Sequence, residues 1–109
     1  MKKTKSLISQ KFSDLLEIIN DKNIDVLNKD INIFMELLNE KYGNKKTTIE
    51  NRCKLYNETP KTNTQRYIFE ICEFIEDTKK HFGSKREQEI VNVCNDILHS
   101  LHLVLYKII

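Results

Sequence analysis

The chain has 109 residues, 39% of them apolar and 31% charged, with a formal net charge of +2. That length is the usual size of one domain, and a chain of this size buries roughly 65% of its unfolded surface, enough for a core without disulfide or metal staples. The balance excludes disorder, the small net charge is no argument for nucleic acid by itself, and no run approaches the ~20 apolar residues of a membrane-spanning helix.

Ala and Trp are absent, while Asn, Lys and Ile are abundant. Without Ala, the best helix former, helices here depend on packing more than on intrinsic propensity. Gly43, Pro60 and Gly83 are the only glycines and the only proline, and they divide the chain into segments with helical periodicity. Lys2, Lys3 and Lys5 look like the start of a secretory signal, but Ser9, Gln10 and Lys11 interrupt the apolar stretch it needs.

The first helix is predicted from about Ser6 to Asn20, with Ile8, Phe12, Leu15, Leu16 and Ile19 on one stripe. Asn20–Asn23 breaks it, and Asn23 or Asp25 caps the second helix, which extends from about Ile24 to Tyr42. Leu27, Ile31, Phe34 and Leu38 form the inner face of that helix, widened by Ile33, Met35 and Leu37. Gly43 falls where a left-handed residue closes a helix.

Thr47 and Glu50 have the spacing of a capping box, which starts a short third helix of about Thr48 to Asn57; Thr59-Pro60 ends it. Thr62–Gln65 offers a second box for a fourth helix that reaches about Phe82, with Ile68, Ile71, Cys72, Ile75 and Phe82 inward and Gly83 as the stop. Ser84–Glu87 offers a third box. The last helix then carries Ile90, Cys94, Ile97, Leu101, Val104 and Ile108 on one face and Val91, Leu98, Leu105 and Ile109 on another, the pattern of a central element. No strand-like alternation occurs. The expectation is an all-α single domain over residues 1–109: an antiparallel four-helix bundle with one additional short helix.

Motifs of chemistry are missing. Cys53, Cys72 and Cys94 match no zinc spacing, and their apolar neighbours point to reduced core thiols in a cytoplasmic protein. His99 and His102 share a face of the last helix but are too few for a closed metal shell. Glu70, Glu73, Glu76 and Asp77 line the fourth helix without the Glu-x-x-His pairs of a di-iron site, so they read as a solvated stripe. Two isolated glycines make no phosphate loop. No catalytic residue, metal or cofactor is expected.

Charge is distributed unevenly. Residues 14–40 hold seven acids against two bases, a net of −5, and residues 41–66 hold seven bases against two acids, a net of +5. A small helical protein whose surface is its function binds other proteins. The profile fits an immunity or inhibitor protein that neutralises a cognate toxin or bacteriocin, and it fits a phage-type inhibitor of a host defence enzyme equally. Asp21, Asp25, Asp30, Glu36 and Glu40 are the candidate contacts for a toxin with a basic surface. The alternative is a nucleic-acid-binding regulator using Lys45, Lys46, Arg52, Lys54, Lys61 and Arg66. Monomer and homodimer are both compatible with the pattern.

Overall fold

A computed structural model describes residues 6–19 and 24–108. They form five α-helices: α1 (Leu7–Ile18), α2 (Ile24–Asn39), α3 (Lys46–Cys53), α4 (Thr64–Gly83) and α5 (Gln88–Ile108). Short 3-10 turns at Gly43–Lys45 and Lys54–Tyr56 flank α3. No strand occurs among the described residues, and no helix there is long and apolar enough to cross a membrane. The fold is a compact helical bundle. Its shortest dimension, 23 Å, is about two helix diameters.

The predicted stripes become the core. Ile8, Phe12, Leu15 and Ile19 from the first segment meet Leu27, Ile31, Phe34 and Leu38 of α2 in one cluster. The Phe12 and Phe34 rings meet edge to face at 5.7 Å. From α4, Ile68, Ile71, Cys72, Ile75 and Phe82 join them, and Tyr67, Phe74 and Thr78 are buried as well. Helix α5 packs most extensively against α4 and then α2, with Ile90, Cys94, Ile97 and Leu101 fully enclosed. Its apolar breadth follows from that position between two neighbours.

The helix ends depart from expectation. Gly43 lies in a 3-10 turn, not at a left-handed C′ position; among the described residues no glycine has positive φ. Gly83 belongs to the last turn of α4, and the left-handed residue is Arg86, with φ 60°. Glu87 N–H donates to Phe82 O at 3.0 Å and Arg86 N–H to Gly83 O at 3.1 Å, the two bonds of a Schellman closure centred three residues beyond the glycine.

All three capping boxes are built otherwise. Helix α3 begins at Lys46 with no side-chain cap, and Glu50 instead accepts from Leu7 N–H (3.0 Å) and Ile8 N–H (3.1 Å). Those donors are orphaned at the start of α1, so an acid 42 and 43 residues away satisfies them. At α4 the N-cap is Asn63, without a side-chain bond. Ser84 Oγ donates back to His81 O, and Glu87 accepts from the Tyr42 hydroxyl, so neither caps α5. Only Ser6 caps as its residue type predicts, accepting from Ser9 N–H at 3.0 Å. The proposed Asn23 cap lies outside the described residues, as do the side chains of Ile108 and Ile109.

Candidate partner-binding site

Two of the four carboxylates assigned to a solvated stripe on α4 are structural. Glu70 receives Lys11 Nζ at 2.9 Å, with side chains only 12% and 6% exposed. It also accepts from the backbone N–H groups of Glu58 and Thr59 and from Thr59 Oγ1. Burial alone would raise its pKa; the hydrogen bond and charge of Lys11, with the Thr59 and Glu58 amides, outweigh that and hold it below the usual value. Asp77 forms a forked pair with the Arg52 guanidinium, which links α3 to α4. The remaining carboxylates, Glu73 and Glu76, lie on the outer side of α4.

These two flank a groove of about 400 Å³ between α4, α5 and the Lys54–Tyr56 turn. Phe69, Glu73, Glu76 and Lys80 recur on one face of α4 and form one wall. His102 and Leu105 of α5 form the other, and Tyr56 and Cys72 complete it. Phe69 is 56% exposed. Tyr106, 85% exposed, is one helical turn beyond His102 on α5. Aromatic rings presented beside a cleft are the usual anchors of protein interfaces. The groove is also acidic: the Tyr56 phenol is pushed up by burial and then by the charges of Asp77 and Glu73.

The groove lining also carries a thiol and an imidazole. It brings Cys72 near His102, but Cys72 is buried, and burial with the charges of Glu76 and Glu73 pushes its thiol up to about 12. Nucleophilic attack needs a thiolate, which this environment suppresses. Cys53 and Cys94 are likewise buried and pushed up to about 12. His99 and His102 are exposed, and among the described residues no cluster of three metal-ligating side chains occurs.

The acids expected to contact a partner are divided. Asp25, Glu36 and Glu40 are exposed, and Glu36 and Glu40 flank a shallow depression with Ile33 and Leu37. Asp30 is half-buried instead, its pKa raised by desolvation and by Asp96 of α5. Asp21 lies outside the described residues. Of the alternative basic set, Arg52 is committed to Asp77, and Lys61 pairs with Glu17 (3.2 Å) and Asp14 (3.8 Å). Lys45, Lys46, Lys54 and Arg66 have no carboxylate partner among the described residues, and they do not converge on one groove: Lys45 lines a small pocket beside His81, and Arg66 lines a depression with Asn63 and Gln65.

Compared with known proteins, the chain matches no family model, no curated protein and no solved structure. Sequence reasoning passed over Phe69 and Tyr106. The signal was there: each stands off the apolar stripe of its helix, Phe69 beside Ile68 and Tyr106 beside Leu105. A single exposed aromatic is ordinary on a protein surface; what gives Phe69 weight is its place beside a groove.

Proposed function

We propose that this protein is a cytoplasmic protein-binding module, an immunity or inhibitor protein that neutralises a basic toxin, bacteriocin or defence enzyme by direct binding. The observation that carries this reading is the α4–α5 groove, with exposed Phe69 beside Glu73 and Glu76, and exposed Tyr106 one turn beyond the groove's His102 on α5. Aromatic anchors supply apolar contact area, and the surrounding carboxylates select a cationic partner and speed its approach. The exposed acids of α2 (Asp25, Glu36 and Glu40) add to the negative field along the approach. The protein acts by covering a site on its partner, with no chemistry of its own.

The test is co-expression with the product of the neighbouring reading frame, scored by stoichiometric inhibition of that product's toxic activity. Phe69→Asp and the pair Glu73→Lys/Glu76→Lys abolish protection, whereas Glu36→Lys/Glu40→Lys slows association only. The association rate falls by about tenfold or more between low and high salt. Protection retained by both groove variants refutes the groove as the contact surface. A gel shift that Lys45→Gln and Arg66→Gln abolish supports the nucleic-acid reading instead.

A further inference from the structure

A second concavity, of about 230 Å³, opens where the chain just after α2, the Gly43–Lys45 turn, the end of α4 and the turn that follows it meet. Three lysines reach it from two separate stretches of chain: Lys41 and Lys45 from one, Lys85 from the other. Asn44 adds an amide, and Glu87 is the single acid on its lining. Lys41 pairs with Glu89 at 3.2 Å, an exposed contact, and Glu87 accepts from the Tyr42 hydroxyl at 3.0 Å. Lys45 and Lys85 have no carboxylate within ion-pair distance among the described residues. Counting Lys41, Lys45 and Lys85 against Glu87 leaves the lining at +2.

His81 also lines this pocket. Its Nε2 is buried and has no hydrogen-bond partner, the single such side-chain atom among the described residues. Leaving a buried polar atom unpaired is costly, and native structures rarely do it without a ligand, an ion or water to satisfy it. The imidazole stands edge-on to Phe82 at 5.1 Å, which fixes its orientation. The carbonyls at the end of α4 do not occupy the lysines. Lys80, His81, Phe82 and Gly83 oxygens all accept from groups of the 84–87 turn. The cations and the imidazole thus share a pocket that holds too few internal acceptors for them.

We infer that this pocket is a binding site for the phosphate group of a small anionic ligand, held by Lys45 and Lys85 with Lys41 and Asn44 at its edge and the His81 ring in its wall. Ammonium groups brought together from two segments can each pair with a different oxygen of a tetrahedral dianion. Burial, then the charges of Arg52, Lys85 and Lys45, lower the His81 pKa, against a smaller opposing effect of Asp77. Tyr42 and Glu87 are the other titratable groups on the lining. A bound dianion offsets the lysine charges, so ligand binding draws a proton onto the imidazole. The site stands at the opposite end of α4 from Phe69 and does not depend on the protein-binding reading.

The test is an NMR titration of the His81 ring with sodium sulfate and with inorganic phosphate, against sodium chloride at matched ionic strength. Sulfate keeps its charge across neutral pH, so its pH dependence reports on the protein alone. Saturable one-to-one binding is expected, with the His81 pKa raised by about one unit, equivalent to about tenfold tighter sulfate binding to the imidazolium. Lys45→Gln/Lys85→Gln, which changes exposed or half-buried side chains, keeps the fold by circular dichroism and loses the saturable shift. A nucleoside monophosphate arm separates sources: tighter binding than inorganic phosphate with added shifts at Tyr42 identifies a nucleotide, and equal binding identifies the simple anion. A His81 response no larger than that to chloride, or one unchanged in the double variant, overturns the assignment.

Discussion

Replacing Lys11 with Met isolates the contribution of the one buried ion pair among the described residues. Lys11 is 5% exposed, its ammonium 2.9 Å from Glu70 and 4.4 Å from the centre of the Tyr67 ring, and Tyr67 donates to the Lys11 carbonyl. Methionine fills the same stem volume, so packing is largely kept and the change removes the charge. Breaking a buried pair from one side costs about 3–5 kcal/mol, because the remaining charge stays buried without its counter-ion. Glu70 keeps three donors (Glu58 N–H, Thr59 N–H and Thr59 Oγ1) at 3.1 to 3.3 Å, which places the loss at the lower end, about 3 kcal/mol near neutral pH. For a domain of this size that lowers the melting temperature by roughly 10–15 °C.

The pH dependence gives an independent check. In the wild type the folded Glu70 pKa is depressed, so its contribution is complete above the unfolded value and is lost as pH falls through the folded one. Without Lys11 the desolvation cost dominates, the carboxyl takes up a proton more readily, and the gap between variant and wild type narrows on acidification. Urea unfolding at neutral and at acid pH measures both effects. Adding Glu70→Gln to Lys11→Met recovers more than half of the loss, because the amide oxygen still accepts from Thr59 N–H. A single-variant loss under about 1 kcal/mol, or one that is the same at both pH values, refutes the account, since it would fall in the range of an exposed pair.

Arg86→Gly raises stability by about 1 kcal/mol, because the left-handed conformation at φ 60° costs glycine nothing, and the exposed Arg86 side chain has no partner to lose; thermal denaturation checks it, and a lower midpoint contradicts it. A chain ending at Ser100 loses Leu101, Val104 and Leu105 from the core, each contributing about 1.5–3 kcal/mol, a sum comparable with the stability of a typical domain. That truncation abolishes the cooperative melt, and a transition near that of the full chain would show the last two turns of α5 to be peripheral.

Helical periodicity was legible because burial of one stripe is a short-range consequence of 3.6 residues per turn: Ile8, Phe12 and Leu15 must share a face whatever they pack against. The helix ends were misread because capping residues have more than one possible partner. Glu50 has the right spacing to serve its own helix, yet the N–H groups of Leu7 and Ile8 come within its reach only once α1 and α3 are packed. Glycine preference misled in the same way, since the Gly83 turn continues helically and the reversal falls on Arg86. The acidic stripe of α4 shows the limit most clearly. Glu70 and Glu73 are equivalent in local sequence, but Glu70 meets Lys11, 59 residues away, and becomes structural, while Glu73 stays on the groove wall. Which charges remain free is decided only once the fold has used the others. That sorting is a property of the packed bundle: it takes Glu70 and Asp77 into ion pairs and leaves Glu73 and Glu76 beside Phe69, the proposed contact surface.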